Sequence, residues 1–176
     1  MKAYFAGGCF WCMEKPYHEI DGVISVESGY SGGDETDATY ENVKSQKTLH
    51  RETVGIEYDE NRLSYGELLR VYFDSIDPFD DGGQFIDRGR SYTCAVYYTD
   101  DGQRTAALEK IAEIERLYGN GRKAAVAVEP FRFFIPAEEY HRDYAHKNPE
   151  AYAKEYEESG RKDYFADRRK SEQTEK

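Results

Sequence analysis

The sequence predicts an α/β (α+β) fold: a two-layer sandwich with a mixed sheet, built on a split β-α-β (ferredoxin-like) core and followed by a C-terminal helical extension. The main observation is the order of its segments, which runs strand, helix, strand, strand, helix, strand and then continues with a further helix and strand. The second is length, because 176 residues can bury one sizeable core but not two. We therefore expect a single domain over residues 1–166. Residues 167–176 are charged or polar and lack periodicity, which predicts a disordered tail.

The predicted strands are short apolar or β-branched runs, a composition typical of strands. They are Lys2 to Ala6, Val23 to Glu27, Val54 to Tyr58, Thr93 to Thr99, and one or two strands within Ala124 to Phe134.

The predicted helices differ in how clearly their ends are marked. Cys9 to Ile20 has the length of a helix, although Pro16 removes one helical hydrogen bond. A capping box at Ser64 to Glu67 opens the next helix. Asp101 to Tyr118 is amphipathic and ends at a glycine, and the chain after Tyr140 is mostly helical.

Two long stretches, Ser28 to Thr53 and Ile76 to Ser91, are predicted to be irregular. Long loops in a compact domain often build functional sites. We therefore expect site residues in both stretches.

Composition argues against two classes of partner. The chain carries 35 acidic and 24 basic residues, a net charge of −11, which disfavours nucleic acid and anionic membrane surfaces. No apolar run approaches the roughly 20 residues that span a bilayer. We expect a cytoplasmic protein, and a monomer.

The segment GGCFWC places Cys9 where a strand turns into the start of a helix. Helix N-termini favour negative charge and lower thiol pKa values, so Cys9 is predicted to be a thiolate nucleophile. Cys12 lies one helical turn on, within disulfide reach. The alternative is half of a zinc site, but Cys94 is the only other cysteine, and redox chemistry is favoured. Phe10 and Trp11 are predicted to form an apolar wall for a small apolar group, with plain core packing as the alternative.

The string GGCFWCMEKPY resembles the signature of the A-class peptide methionine sulfoxide reductases. Further segments are similar to motifs of that family in the same order, so that the resemblance covers about residues 3 to 149. They are ESGYSGG at 27–33, ATYENV at 38–43, LHRETV at 49–54, DP at 77–78, GQ at 83–84, DRG at 87–89, SY at 91–92 and HKNP at 146–149.

Five positions depart from the family pattern, which leaves loop geometry and substrate affinity open. They are Ala38, Leu49, Ile86, Ser91 and Thr93, where the family usually has proline, glycine, asparagine, glutamine and arginine.

The resemblance implies reduction of the S epimer of methionine sulfoxide, free or in proteins. Cys9 would attack sulfur while a donor protonates the oxygen. By the same resemblance, the roles are Glu52 as proton donor, Tyr30 and Tyr92 as hydroxyl donors, Asp87 acting through water, and Phe10 with Trp11 holding the substrate methyl group. An ordinary carboxyl is ionised at neutral pH, so the site must raise the pKa of Glu52; burial and a Cys9 thiolate would both do so.

The attack would leave Cys9 as a sulfenic acid, which condenses with a nearby thiol. Many members of the family have glycine at position 12 and use cysteines in a C-terminal tail, whereas this chain has no cysteine after Tyr152. We therefore expect Cys12 to be the resolving residue, with an external dithiol, thioredoxin, restoring both thiols. Cys94 is predicted to be an inert core cysteine.

No cofactor and no metal are predicted, since His18, His50, His141 and His146 are scattered and lack ligand spacing. Two alternatives remain open from the residues alone. One is a thioredoxin-like disulfide oxidoreductase. The other is a non-enzymatic module that binds peptides or metals through structural cysteines.

Overall fold

The computed structural model describes the backbone of residues 1–174 and the side chains of residues 1–168. In chain order the elements are β1 Lys2–Ala6, α1 Phe10–His18, β2 Val23–Ser31, α2 Tyr40–Lys44, β3 Arg51–Tyr58, α3 Tyr65–Asp74, β4 Gly83–Gln84, β5 Asp87–Arg88, β6 Cys94–Tyr98, α4 Asp101–Tyr118, β7 Val126–Pro130, β8 Ile135–Pro136, α5 Tyr144–Lys147, α6 Pro149–Glu158 and α7 Arg161–Thr174. Single 3₁₀ turns occupy Arg90–Tyr92 and Glu139–His141.

Six strands form one mixed sheet in the order β7-β6-β1-β3-β2-β8. The central four, β6-β1-β3-β2, pair antiparallel, while β7 is parallel to β6. The connections through α1 and α3 each join two strands that have one antiparallel strand between them, which is the arrangement of a split β-α-β core. The predicted fold class is confirmed. β4 and β5 form a separate small hairpin.

The main core lies between the sheet and helices α1, α3 and α4. Phe5, on β1, stacks against Tyr72 with ring centroids 5.0 Å apart. The Tyr72 hydroxyl donates to the carbonyl of Ala6 at 2.8 Å, which anchors the last residue of β1 to α3. The opposite face of β1 carries a smaller aromatic group, in which Tyr4 stacks on Phe131 at 4.0 Å. Both faces of β1 are therefore buried, and its C-terminal end is held rigidly.

Two helix predictions agree closely with the structure. The capping box at Ser64 and Glu67 is present in full at the start of α3. α4 spans Asp101–Tyr118, as predicted. α1 is shorter than expected, Phe10–His18, and continues through Pro16.

The predicted irregular stretch Ser28 to Thr53 is wrong in part. β2 continues to Ser31, β3 begins at Arg51, and α2 lies between them. Ser28 to Ser31 has little β-branched content, so the sequence gives no strand signal there. Pairing with β3 supplies the hydrogen bonds instead, a case in which tertiary context overrides propensity.

The predicted tail from Asp167 also differs, because α7 extends to Thr174; residues 175–176 lie outside the described residues. The helix is anchored by contacts that its own sequence does not reveal. Arg168 donates to the carbonyl of Phe73 at 2.8 Å and lies over the ring of Tyr118. The boundaries of the single domain stay a prediction. None of the described helices combines the length and apolar composition that crossing a bilayer requires.

Candidate active site

Cys9 occupies the N-cap of α1, and Gly7 and Gly8 separate it from the end of β1. Its carbonyl accepts from the N–H groups of Cys12 at 3.1 Å and Met13 at 3.2 Å, which closes the first helical turn. Gly8 has φ +85, a backbone conformation that residues other than glycine rarely adopt. A Cβ atom there would lie 2.7 Å from the Cβ of Gln84 and 3.0 Å from Nη2 of Arg161. The predicted strand-to-helix turn is thus present, and it is packed closely from outside.

The thiols of Cys9 and Cys12 are both 8% exposed and hydrogen-bonded to each other. This hydrogen bond, and then burial, raise the pKa of Cys9 well above its ordinary value, and the charge of Glu52 adds to the effect. The same hydrogen bond lowers the pKa of Cys12, with a further contribution from the guanidinium of Arg161.

The thiolate form of Cys9, which the sequence predicts, is opposed by the hydrogen bond to Cys12 and by burial, and the role of Cys9 as nucleophile stays a prediction. A helix N-terminus stabilises an adjacent anion by about 0.3–1 kcal/mol, less than one pKa unit, which is about 1.4 kcal/mol. Burial and the hydrogen bond to Cys12 outweigh it. The hydrogen bond between the two thiols thus raises the pKa of Cys9 and lowers that of Cys12.

Glu52 lies on β3 directly opposite Tyr30 of β2, so both side chains are on the same face of the sheet. Its Oε2 accepts a hydrogen bond from the backbone N–H of Phe10 at 3.0 Å, and the residue is 2% exposed. Burial raises its pKa to about 8, opposed by the Phe10 N–H and reinforced by Asp87 and Cys12. Glu52 thus holds a proton at neutral pH. The sequence analysis also expects a raised pKa for Glu52, but the thiol that helps to raise it is Cys12 and not Cys9.

The two tyrosines predicted as hydroxyl donors lie near Glu52. The Tyr30 hydroxyl already donates to Oε2 of Glu138 at 2.8 Å, while Oε1 of Glu138 accepts from the N–H of Tyr40 at 2.9 Å. Tyr92 ends the 3₁₀ turn after β5 and is 9% exposed. Burial and the charge of Glu52 raise its pKa. Both phenols are therefore protonated donors, and that of Tyr30 is held by Glu138.

Asp87 is joined to a residue that the sequence analysis missed. Its Oδ2 accepts from Nη2 of Arg161 at 3.1 Å, and the Arg161 side chain is only 3% exposed. Arg161 belongs to α7, beyond the stretch covered by the recognised motifs, and it is one of many charged residues there. Nothing in the local sequence distinguishes it from a solvated arginine.

Phe10 and Trp11 lie side by side in the first turn of α1, and their role as an apolar wall for a substrate group stays a prediction. Their ring centroids are 6.2 Å apart, and Phe10 is 1% exposed while Trp11 is half-buried. Tyr144 of α5 stacks on Trp11 at 3.8 Å with an interplanar angle of 12°. His141 packs near both rings, and both of its ring nitrogens are buried without a hydrogen-bond partner. The sequence analysis missed Tyr144 and His141 as neighbours of this wall.

A buried carboxylate ties α5 to this wall. Glu14 of α1 accepts from Ser28 Oγ at 2.5 Å and from the N–H of Asp143 at 3.0 Å. Asp143 has φ +52 and immediately precedes Tyr144. This connection between α1, β2 and the start of α5 fixes the position at which Tyr144 meets Trp11.

Cys94 lies on β6, 1% exposed, and burial raises its pKa to about 12. It is a core residue in this structure. It packs in the main core, whereas Cys9 and Cys12 pack with Ala145 and Tyr152.

The histidines are less scattered than the sequence indicated. Ligand atoms of His18, Asp143 and His146 all lie within 4.8 Å of one another near the surface. The three already pair among themselves and with Glu14, His146 to Asp143 at 2.5 Å and His18 to Glu14 at 3.3 Å. His50 contacts the carbonyl of Asp34 through Nε2 at 2.6 Å and so supports the loop after β2.

Known proteins are similar to this chain in sequence and in fold. The profile of the family described as peptide methionine sulfoxide reductase matches residues 1–174. A peptide methionine sulfoxide reductase MsrA from Bacillus licheniformis is 45% identical over 93% of this chain and 90% of its own. The corresponding protein from Streptococcus mutans is 42% identical over 87% of this chain and 90% of its own.

Two solved structures are similar in fold. The reduced form of Mxr1 from Saccharomyces cerevisiae has a TM-score of 0.80 at 28% identity, covering 85% of this chain and 86% of that chain. Methionine sulfoxide reductase A of Corynebacterium diphtheriae has a TM-score of 0.75 at 27% identity, covering 84% and 74%. The alternatives of a thioredoxin-like oxidoreductase and of a non-enzymatic module are set aside, and the chain belongs to the peptide methionine sulfoxide reductase family.

Proposed function

We propose that this protein reduces the S epimer of methionine sulfoxide, free or in proteins, to methionine, with Cys9 as the nucleophile and Glu52 as the acid. The observation that carries the proposal is the hydrogen bond from the N–H of Phe10 to the buried, protonated carboxyl of Glu52. It places an acid beside the residue that follows Cys9. The membership of the family described above supports the reaction type.

In the first step the substrate methyl group rests against Phe10 and Trp11, which exclude water from the reacting sulfur. We propose that ionisation of the thiol pair leaves one proton in the hydrogen bond between Cys9 and Cys12, and that moving this proton to Cys12 places the negative charge on the attacking Cys9 sulfur. Glu52 gives its proton to the sulfoxide oxygen as the Cys9 sulfur attacks.

Two electrons pass from Cys9 to the substrate sulfur in this exchange. The protonated oxygen passes from the substrate sulfur to the Cys9 sulfur, so that the substrate S–O bond and the bond formed between the two sulfurs both break. Cys9 is left as a sulfenic acid, and the substrate leaves as methionine. Tyr92 is proposed to donate a hydrogen bond to the same oxygen. Tyr30 would do so only by releasing Glu138, and Asp87 would act through water, with its charge offset by Arg161.

The second step forms a disulfide between Cys9 and Cys12. The Cys12 sulfur attacks the Cys9 sulfur, the S–O bond breaks, and the oxygen leaves as water with the Cys12 proton. An external dithiol then reduces the disulfide and is itself oxidised. We propose thioredoxin for this role, since Mxr1 of S. cerevisiae has been solved in complex with Trx2. No bound cofactor or metal is needed for any step. Three free thiols suit a reducing compartment, and we propose the cytoplasm.

The test uses separated R and S epimers of a methionine sulfoxide peptide with a dithiol reductant. The parent and Cys94→Ser are expected to convert the S epimer, whereas Cys9→Ser is expected to convert neither. Turnover by Cys9→Ser, or equal rates with the two epimers, would contradict the proposal.

A further inference from the structure

Arg161 is a buried cation that the reaction as described does not use directly. Its backbone N–H donates to Ser159 Oγ at 3.3 Å, and the preceding Gly160 has φ +79, so the chain turns sharply to start α7 at this residue. The side chain is 3% exposed. Its guanidinium lies over the ring of Phe85 at 4.7 Å.

Three contacts fix the position of the guanidinium. It donates to Asp87 at 3.1 Å, it packs on Phe85, and its Nη2 lies against Gly8, where only the absence of a side chain leaves room for it. Gly8 immediately precedes Cys9. The cation is therefore locked beside the backbone that carries the nucleophile.

Arg161 also lines a cavity of about 490 Å³ together with Cys12, Tyr152 and Phe165. Tyr152 of α6 is 6% exposed and hydrogen-bonds to Cys12. Burying a charge is costly unless opposite charges lie near it. Asp87 supplies one opposite charge, and Cys12 of the thiol pair lines the same cavity as the guanidinium and interacts with its charge.

We propose that Arg161 is a positioning residue for the thiol pair: held between Asp87 and the backbone of Gly8, it keeps one negative charge on Cys9 and Cys12. This inference rests on the proposed function for its catalytic consequence. Arg161 acts through the two sulfurs and does not contact substrate. The C-terminal helices α6 and α7 are thereby part of the active site.

Most of the other charged groups near Cys12 disfavour a negative charge on its sulfur. Glu52 from β3, Asp87 from β5 and Glu155 from α6 are acidic, while Cys9 and Tyr152 are hydrogen-bonded to Cys12. Lys15 of α1 lies over the ring of Tyr152, at 4.7 Å from its centroid. Arg161 is the buried cation among the groups named here. Removing its charge should therefore make ionisation of the pair harder.

The test compares Arg161→Met, which removes the charge, with Arg161→Lys, which keeps it. Arg168→Met is the matched control, since it removes an arginine of the same helix that contacts Phe73 and Asp74. The first readout is the ultraviolet absorbance of thiolate in the reduced protein, titrated against pH without any substrate. It does not require sulfoxide reduction, so it stands if the proposed function fails.

Arg161→Met is expected to move the first thiolate midpoint upward by about one pH unit or more, and Arg161→Lys to restore most of the shift. Arg168→Met should leave the midpoint in place. At neutral pH, the rate of sulfoxide reduction by Arg161→Met should fall about tenfold. The ascending limb of its pH–rate profile should move upward by about one pH unit, as the thiolate midpoint does. A purely structural role would lower stability without moving the midpoint, and that result would overturn the proposal.

If Arg161→Met does not fold, Arg161→Gln gives a second test, because glutamine keeps an N–H donor for Asp87 and carries no charge. Its thiolate midpoint should rise as expected for Arg161→Met. An unchanged midpoint in a folded Arg161→Gln protein would count against the role assigned to Arg161.

Discussion

Glu52 accepts the backbone N–H of Phe10 at 3.0 Å, so that the acid on the sheet and the helix that begins after the nucleophile are joined by one hydrogen bond. The bond uses one carboxyl oxygen and leaves the other to carry the proton. It also favours the ionised form, yet burial outweighs it and the pKa stands at about 8. The relative position of acid and nucleophile is therefore set by backbone geometry and does not depend on a flexible side-chain contact.

The first prediction concerns the rate of sulfoxide reduction by Glu52→Gln. Glutamine keeps the shape and can accept from Phe10, but it has no proton to give. We expect the single-turnover rate to fall by roughly 10²-fold or more at neutral pH. In the parent the rate should decline as pH rises through about 8, because Glu52 then loses its proton.

The descending limb should be absent in Glu52→Gln. Alkylation of Cys9 by a simple reagent, measured in parallel in proteins that also carry Cys12→Ser so that Cys12 cannot react, controls for damage to the nucleophile. A near-parent rate across the neutral range in the variant would show that another group, such as Tyr92, supplies the proton.

A second prediction follows for stability. The pKa of Glu52 rises from an ordinary value of 4.5 in the unfolded chain to about 8 in the folded protein. The folded state thus binds this proton more tightly, and the resulting stabilisation is complete below about pH 4.5 and is lost as pH rises through 8. Glu52→Gln lacks this dependence. The Tm of the variant minus that of the parent should increase steadily between pH 5 and pH 8.5, measured by thermal unfolding.

The fold was predictable because its signals are local. The order of segments, the capping box at Ser64 and the periodicity of Asp101 to Tyr118 each depend on a few neighbouring residues. The extension of β2 through Tyr30 was not predictable in this way. That segment becomes a strand because β3 is beside it, and pairing between distant segments leaves no local trace.

The site residues also differ in whether local sequence reveals them. Cys9, Phe10 and Trp11 adjoin in sequence, and the resemblance supplied Glu52 from a second motif. Arg161 lies 152 positions after Cys9 in the sequence, and its importance depends on its burial beside Gly8. The pKa values of Cys9 and Cys12 also could not be predicted from the sequence. A helix start predicts a lowered pKa, but it does not reveal that both thiols are buried and share a hydrogen bond.

The third prediction uses Trp11, the only tryptophan in the chain, as a fluorescent reporter. Tyr144 covers one face of its ring at 3.8 Å. Tyr144→Ala should expose that face and shift the emission of Trp11 to longer wavelength, with a loss of about 0.5–1.5 kcal/mol in stability for the aromatic pair beyond the lost apolar area. Tyr164→Ala, which removes a ring that meets Phe85 edge to face and does not contact Trp11 in this way, is the control. Unchanged emission in Tyr144→Ala would show that the two rings are not stacked in solution.

The last prediction separates the three cysteines by their chemistry. Cys12→Ser should still form about one methionine per active site, because Cys9 alone is oxidised in the first step. Turnover with thioredoxin should be lost, since a serine hydroxyl cannot form a disulfide with the sulfenic acid. Cys94→Ser is the matched control: it lies on β6 in the main core, burial holds its pKa at about 12, and its replacement should leave turnover intact at some cost in stability. Quenched single-turnover assays that count methionine and free thiols separately distinguish the two steps. In the parent each methionine formed should consume two thiols, and in Cys12→Ser only one. Two thiols consumed per methionine in Cys12→Ser would mean that Cys94 reaches Cys9 after all, and that β6 must move for it to do so.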